Sequence, residues 1–335
     1  MSLGDHWLGK LAQIFRRSPN LESGRCPRCF ALGTMDIVSQ DSREIGRCRE
    51  CGYETYDAAH TRMGQCFFAA IGNPCTGKTL WHAMLWRSLR FRIGCGDMAI
   101  DPVPAEKDIE TREILDRLLS GDRASMSFAP RYGGSPDPST YLVRRRPRSP
   151  QAILSHVYDV FSADARPDGF DVIARRMQHI TGLFVFLDIS DNPYFGPKLG
   201  PEGLIRFLQE LRRARNLNLY EKLRIPIAVC LSKCDLLGTE HHQLLQDLQS
   251  NEHLEPPDLG IIAARSERLR EYLPFLFPDQ GYNFLVNEEN FSNIAFFPMS
   301  VLGYQKMEME SPRRLNPSGI FDPFLWLLSR ATGWK

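Results

Sequence analysis

The sequence has no run of about eighteen apolar residues, so nothing in it reads as a membrane-spanning helix. It has no excess of either charge: 41 Lys and Arg stand against 40 Asp and Glu, a formal net charge of +1. No global field therefore draws the chain to nucleic acid, and such binding would have to be local. The N-terminal stretch has neither an uninterrupted apolar core nor a small-residue cleavage site, which predicts an unsecreted, cytoplasmic protein. No internal repeat is visible. The nine cysteines are odd in number, and four of them form two C-x-x-C pairs. In an unsecreted chain that argues for thiolates on a metal instead of a disulfide framework. What is present is ordinary for a folded protein: 335 residues, 43% hydrophobic and 24% charged. That composition excludes a largely disordered chain or a fibrous repeat, and the length suffices for one large α/β domain plus an appendage.

Three segments are predicted. Residues 1–20 are a short amphipathic helix and linker, with Leu3, Trp7, Leu8, Leu11, Ile14 and Phe15 at helical spacing and Arg16 and Arg17 closing the stripe. An exposed stripe of this kind is costly in water. It is expected over residues 1–17 to dock on a partner, on a membrane surface or on the protein's own large domain. Residues 21–60 are rich in Cys, Gly and Arg and too poor in aliphatics to build a core alone. Residues 61–335 carry the large domain. QCFFAAIGN from residue 65 is a buried-strand pattern ending in glycine, and TLWHAMLWRSLRF after it is helical. Four further apolar runs, 152–161, 182–189, 225–232 and 294–301, read as buried parallel strands. Helical patterns lie at 170–180, 202–216, 239–249 and 262–275. Strands alternating with helices imply a parallel sheet covered on both faces. Segment 97–140 reads as a long mobile insertion, and 318–331 as a closing helix with Asp322 as N-cap and Pro323 at its first position.

Cys26, Cys29, Cys48 and Cys51 give C-x2-C-x18-C-x2-C, the spacing of a zinc ribbon. Four thiolates close a tetrahedral site and leave no open position, so the zinc is predicted to be structural. It would supply the folding energy this segment lacks. A closed site upstream of the first strand predicts that metal loss unfolds 21–60 and leaves the large domain's binding intact. Arg25, Arg28, Arg43, Arg47 and Arg49 could meet phosphate or could be a solvated face; the latter, with a structural or protein-contact role, is the preferred reading.

Gly72-Asn73-Pro74-Cys75-Thr76-Gly77-Lys78-Thr79 matches G-x-x-x-x-G-K-[ST] at every position, with an apolar strand before it and a helix from Leu80 onward. The glycines let backbone wrap a phosphate, whose charge faces loop N–H groups and a helix N-terminus. Lys78 would reach the β- and γ-phosphates, and the Thr79 hydroxyl would bind Mg2+. Asp159 lies near the end of the next apolar run. Ser232-Lys233-Cys234-Asp235 closes another strand. Its carboxylate suits guanine, which offers donors at N1 and N2 that adenine lacks. Two charge-assisted bonds at ~1.5–3 kcal/mol each correspond to two or more decades of preference.

Ser232–Asp235 resembles the [NTS]-K-x-D motif of P-loop GTPases. Pro298-Met299-Ser300-Val301-Leu302 resembles the loop whose backbone contacts guanine O6. Asp159 to Ser162 resembles D-x-x-G, whose Asp holds Mg2+ through water, with serine for glycine; Ala163 stands where a catalytic Gln or Glu often follows, and Asp164 is one residue beyond. The first-switch Mg2+ ligand is sought among Ser125, Ser127, Ser139 and Thr140. Together, over residues 64–303, these motifs resemble the translation-factor and Ras-like branch of P-loop GTPases. A zinc ribbon ahead of such a domain and a late Pro-Phe-Leu-Trp-Leu-Leu helix resemble the bacterial double-GTPase families, which act beside companion GTPases in signalling or defence systems. The resemblance implies a three-layer α/β sandwich with a mostly parallel sheet. It implies GTP/GDP, Mg2+ and Zn2+ as cofactors, a protein effector or companion GTPase as partner, and a nucleotide switch; with Ala163 unable to orient water, hydrolysis is expected to be slow, with Asp164, one residue displaced, as the substitute. Two alternatives stand beside it: an ATP-dependent or non-hydrolysing P-loop scaffold, and a nucleic-acid module using the ribbon and Arg144-Arg145-Arg146-Pro147-Arg148.

Overall fold

The computed structural model describes residues 21–72, 76–90, 99–103, 138–145, 152–159, 177–189, 201–218, 221–237, 241, 243, 244, 246, 259–276, 291, 293–303 and 317–333. The strands among them are β1 (Met35–Gln40), β2 (Arg43–Cys48), β3 (Gly64–Gly72), β4 (Ala99–Pro102), β5 (Ser139–Arg144), β6 (Ala152–Asp159), β7 (Gly182–Asp188), β8 (Ile227–Ser232) and β9 (Ile294–Pro298). The helices are α1 (Lys78–Arg90), α2 (Pro201–Ala214), α3 (Leu259–Leu276) and α4 (Asp322–Thr332).

β3 to β9 form one sheet in the order β4-β5-β6-β3-β7-β8-β9. β6, β3, β7, β8 and β9 run parallel. Their sequences are continuous apolar runs because both faces are covered. Along β3, Cys66, Phe68 and Ala70 enter one core with Trp81 and Leu85 of α1 and Phe324 and Leu328 of α4. Phe67, Ala69 and Ile71 enter the opposite core with Phe207 and Leu211 of α2 and Leu269 and Leu273 of α3. Each fully buried Phe or Leu contributes about 1.5–3 kcal/mol. The Trp81 indole N–H donates to the Ile320 carbonyl at 3.0 Å, tying α1 to the approach to α4. The result is the mixed α/β architecture with a mostly parallel sheet that the alternation of runs predicts.

Three details differ from expectation. Strands β4 and β5 lie at the two ends of the segment read as a continuous insertion, and they pair antiparallel on one edge of the sheet. β4 ends in Pro102, which only an edge strand accommodates easily, and Arg144 of β5 pairs with Asp101 at 2.6 Å. Residues 104–137 lie outside the described residues. At α4 the N-cap is Phe321, and Asp322 is the first helical residue beside Pro323. Asp322 does not cap backbone because its carboxylate turns to Arg265 of α3 at 3.4 Å. Finally, the run at 294–301 is shorter as a strand, ending at Pro298.

β1 and β2 form a separate antiparallel hairpin whose tip, Asp41 and Ser42, has positive φ at both residues. The surrounding segment is seated on the sheet. The Gln65 N–H donates to the Glu22 carbonyl at 2.7 Å, and the Tyr158 hydroxyl donates to the Pro27 carbonyl. Phe30 belongs to the same core as Phe67 and Tyr158, with ring centroids 5.4 Å from each. Among the described residues no helix is long and apolar enough to cross a membrane. The amphipathic helix expected over 1–17 lies outside them.

Candidate functional site

The chain leaves β3 toward β5 and β6 on one side and then crosses to β7 on the other, so the strand order reverses around β3. In open α/β sheets, ligands bind outside the carboxyl ends of the strands at such a point. Five strand ends meet on this edge: Gly72, Asp159, Asp188, Ser232 and Pro298. Register places Asp159 opposite Ala70, Gly72 opposite Phe186, Asp188 opposite Ser232 and Leu231 opposite Pro298.

Gly72, at the end of β3, has φ +154, and a Cβ there would lie 2.6 Å from the Phe186 carbonyl oxygen, so glycine lets β3 approach β7. Gly77 has φ +85, a conformation L side chains rarely adopt, and α1 begins at the next residue. Lys78 reaches back to the end of β3. Its ammonium donates to the Gly72 carbonyl at 2.7 Å and to Thr76 Oγ1 at 3.4 Å, and the residue is buried. Thr79 and Leu80 follow in the first turn, half-buried. A helix start directs its first backbone N–H groups toward whatever lies beyond it. Asn73, Pro74, Cys75 and Asp164 lie outside the described residues.

A second cluster lies beyond β7. Ser232 Oγ donates to the Leu187 carbonyl at 3.0 Å. Lys233 takes the left-handed conformation at φ 63, and its ammonium donates to Asp188 Oδ2 at 2.5 Å. Ser300 Oγ donates to Asp235 Oδ1 at 2.6 Å and accepts from the Gly303 N–H at 2.9 Å. The Cys234 N–H donates to the Met299 carbonyl at 3.1 Å. Val301 is buried behind this loop. Burial raises the Asp235 carboxyl above its ordinary pKa, while the Ser300 hydroxyl and Lys233 ammonium pull it back. Burial pushes the Cys234 thiol up to about 12, so it is inert. The two motifs Ser232–Asp235 and Pro298–Leu302, at the ends of β8 and β9, are therefore in direct contact.

Sequence reasoning missed Asp188. Its signal was available: GLFVFLD ends in an aspartate just as AILSHVYD does. Of the candidates for the first-switch ligand, Thr140 is buried in β5 with its hydroxyl 3.0 Å from His156 Nδ1, and it is committed there. Ser139 opens the same strand, and Ser125 and Ser127 lie outside the described residues.

The four cysteine sulfurs lie within 4.8 Å of one another. Cys26 and Cys51 sulfurs are 3.5 Å apart, and those of Cys29 and Cys48 are 3.7 Å apart. A tetrahedron with metal–sulfur bonds of about 2.3 Å has edges of about 3.8 Å, so the set fits zinc. The two halves are built alike. Phe30 N–H donates to the Cys26 carbonyl and Gly52 N–H to the Cys48 carbonyl, and both Phe30 and Gly52 have positive φ. Burial pushes the Cys26 thiol up. At Cys48 burial acts in the same sense, yet the Thr34 hydroxyl at 3.2 Å and backbone N–H groups bring the thiol down to about 6. Four of the five arginines weighed for phosphate have other partners: Arg25 with Glu22, Arg47 with Glu54, Arg49 with Asp36, and Arg28 over the Tyr53 ring.

In comparisons with protein-family models and with curated proteins, nothing matches this chain.

Proposed function

We propose that the protein is a GTP-binding switch of the P-loop class with slow intrinsic hydrolysis, stabilised by a zinc ribbon. It would act with a companion protein in bacterial signalling or defence. One observation carries this reading: on the same carboxyl edge of the sheet as Gly72, Ser300 of the loop after β9 bonds Asp235 of the S-K-C-D loop after β8 at 2.6 Å. A carboxylate fixed in this way can accept from the two donors of guanine. Adenine presents no such pair, and this favours a guanine nucleotide over ATP. Lys78 and the loop N–H groups would hold the phosphates, and Thr79 and Asp159 would hold Mg2+, which supplies charge neutralisation on the phosphate oxygens. Ser300 and Val301 would border the base. Ion pairs at Arg25, Arg47, Arg49 and Arg144 weigh against the nucleic-acid alternative.

Slow turnover follows from what the sequence places after β6. Ala163 cannot orient water, and Asp164 stands one residue further on. The expected rate is ~10⁻⁴ to 10⁻² s⁻¹ without a partner, as for unassisted switches. Measuring GTP turnover by the full chain tests this. Lys78→Ala should abolish nucleotide binding, and Asp164→Ala should slow only the chemical step. Rapid multiple turnover unaffected by Asp164→Ala would contradict the assignment.

A further inference from the structure

The spacing of the cysteines alone suggests an independent ribbon, but the contacts do not. Pro27 lies inside the first metal-binding turn, between Cys26 and Cys29, and its carbonyl accepts the Tyr158 hydroxyl. Tyr158 is buried in β6 and immediately precedes Asp159. Phe30, directly after Cys29, is held in the left-handed conformation at φ 62. For a bulky residue that backbone costs ~1–3 kcal/mol and persists only when its surroundings hold it. Here two things hold it: closure of the cysteine turn, and insertion of the ring against Phe67 and Tyr158 at 5.4 Å and His179 at 6.3 Å. One short stretch, Cys26 to Phe30, thus supplies two metal ligands and packs on the strand that ends in the candidate Mg2+ ligand.

We propose that metal in the four-cysteine site and Mg2+–nucleotide at the sheet edge are thermodynamically coupled through the contact of Tyr158 with Pro27, with Tyr158 as the positioning residue for Asp159. This rests on the nucleotide reading above. Without metal, the Cys26–Cys29 turn no longer fixes the Pro27 carbonyl, and the end of β6 loses a constraint on one side. With metal, the Pro27 carbonyl stays fixed against Tyr158 and that constraint on the end of β6 is kept. Coupling of this kind is reciprocal, so nucleotide with Mg2+ must tighten zinc by the same factor that zinc tightens nucleotide.

The test uses the full zinc-loaded chain, its zinc verified by metal analysis. Zinc release to a zinc-selective chelator is followed with a zinc-sensitive dye, in buffer, with GTP alone, and with GTP plus Mg2+. A fluorescent GTP analogue reports binding on the same samples. GTP plus Mg2+ is expected to shift the chelator midpoint by at least about fivefold. GTP without Mg2+ should shift it little, which a merely structural Tyr158 would not explain. Tyr158→Phe keeps the ring and removes only the hydroxyl. It should bind zinc and the analogue but reduce the shift to about unity. If that variant does not fold, the reciprocal measurement on the unmutated chain decides: its affinity for GTP plus Mg2+ before and after zinc removal must change by the same factor. Binding of the analogue with equal zinc release in all conditions overturns the coupling alone, as does a full shift in Tyr158→Phe. No binding of the analogue by the zinc-loaded chain overturns the nucleotide reading and the coupling together.

Discussion

In the proposed guanine-nucleotide site, Asp235 is the side chain on which selectivity rests. Its carboxylate is half-buried, accepts from Ser300 and stands near the Lys233 ammonium. Replacement by Asn keeps an oxygen for Ser300, so the loop should survive, but it puts an N–H2 where guanine presents donors. With two charge-assisted bonds at stake, GTP affinity should fall by about two decades or more. ATP affinity should stay nearly unchanged, since adenine never used those bonds. Equilibrium titration of Asp235→Asn with both nucleotides checks this, and an equal loss for both would deny the carboxylate its role. At this scale the sequence was informative where chemistry needs a fixed residue at a fixed spacing: Gly72, Gly77, Lys78 and the four cysteines. It was silent on Asp188, because a lone aspartate after an apolar run gains meaning only when register sets it beside Ser232 and its carboxylate meets Lys233.

The buried strands were legible because a strand covered on both faces is a continuous apolar run, and β3, β6, β7, β8 and β9 are such runs. The short antiparallel strands β4, at the edge, and β5 beside it were not. AIDP is brief and contains proline, and the pairing that makes it a strand is long-range. The seat of the ribbon was also invisible, since it depends on one aromatic, Phe30, whose partners lie on strands far along the chain. That seat carries a pH signature. His156 of β6 is fully buried against Phe67 and bonded to Thr140, and its Nε2 finds no partner among the described residues. Burial, aided by His60, brings its pKa down to about 3. Burial also lowers His60, against the pull of Asp57, and lowers His179 with help from Arg25 and Arg215. In the unfolded chain these imidazoles titrate near 6.5. Between about pH 3 and 6.5 the unfolded chain therefore binds protons that the folded chain refuses, and stability rises with pH across that window. Below about 6.5, His156 alone should cost roughly 1.4 kcal/mol per unit of acidification. Urea unfolding at pH 7 and pH 5 should show the unmutated protein losing about 2 kcal/mol more than His156→Gln. Acid weakening of the cysteine site is common to both proteins and cancels in the comparison. Parallel losses would mean that His156 takes up its proton without unfolding.

For the molecule as a whole, the sheet order gathers residues from five separated stretches on one edge, while the cysteine site grips the same sheet through the Cys26–Phe30 turn. Motif order along the chain anticipated which stretches would meet, because parallel strands all present their carboxyl ends on one side. It did not anticipate that the metal segment would share the core of the large domain, since that is a property of packing and not of spacing. The most direct measurement is competition of GTP and ATP, each with Mg2+, against a fluorescent guanine nucleotide bound to the full zinc-loaded chain. GTP should displace it at least about a hundredfold more effectively than ATP, as the two guanine-specific bonds to Asp235 require. Equal displacement by both nucleotides, or no binding of either, would contradict a guanine-nucleotide site at this edge of the sheet.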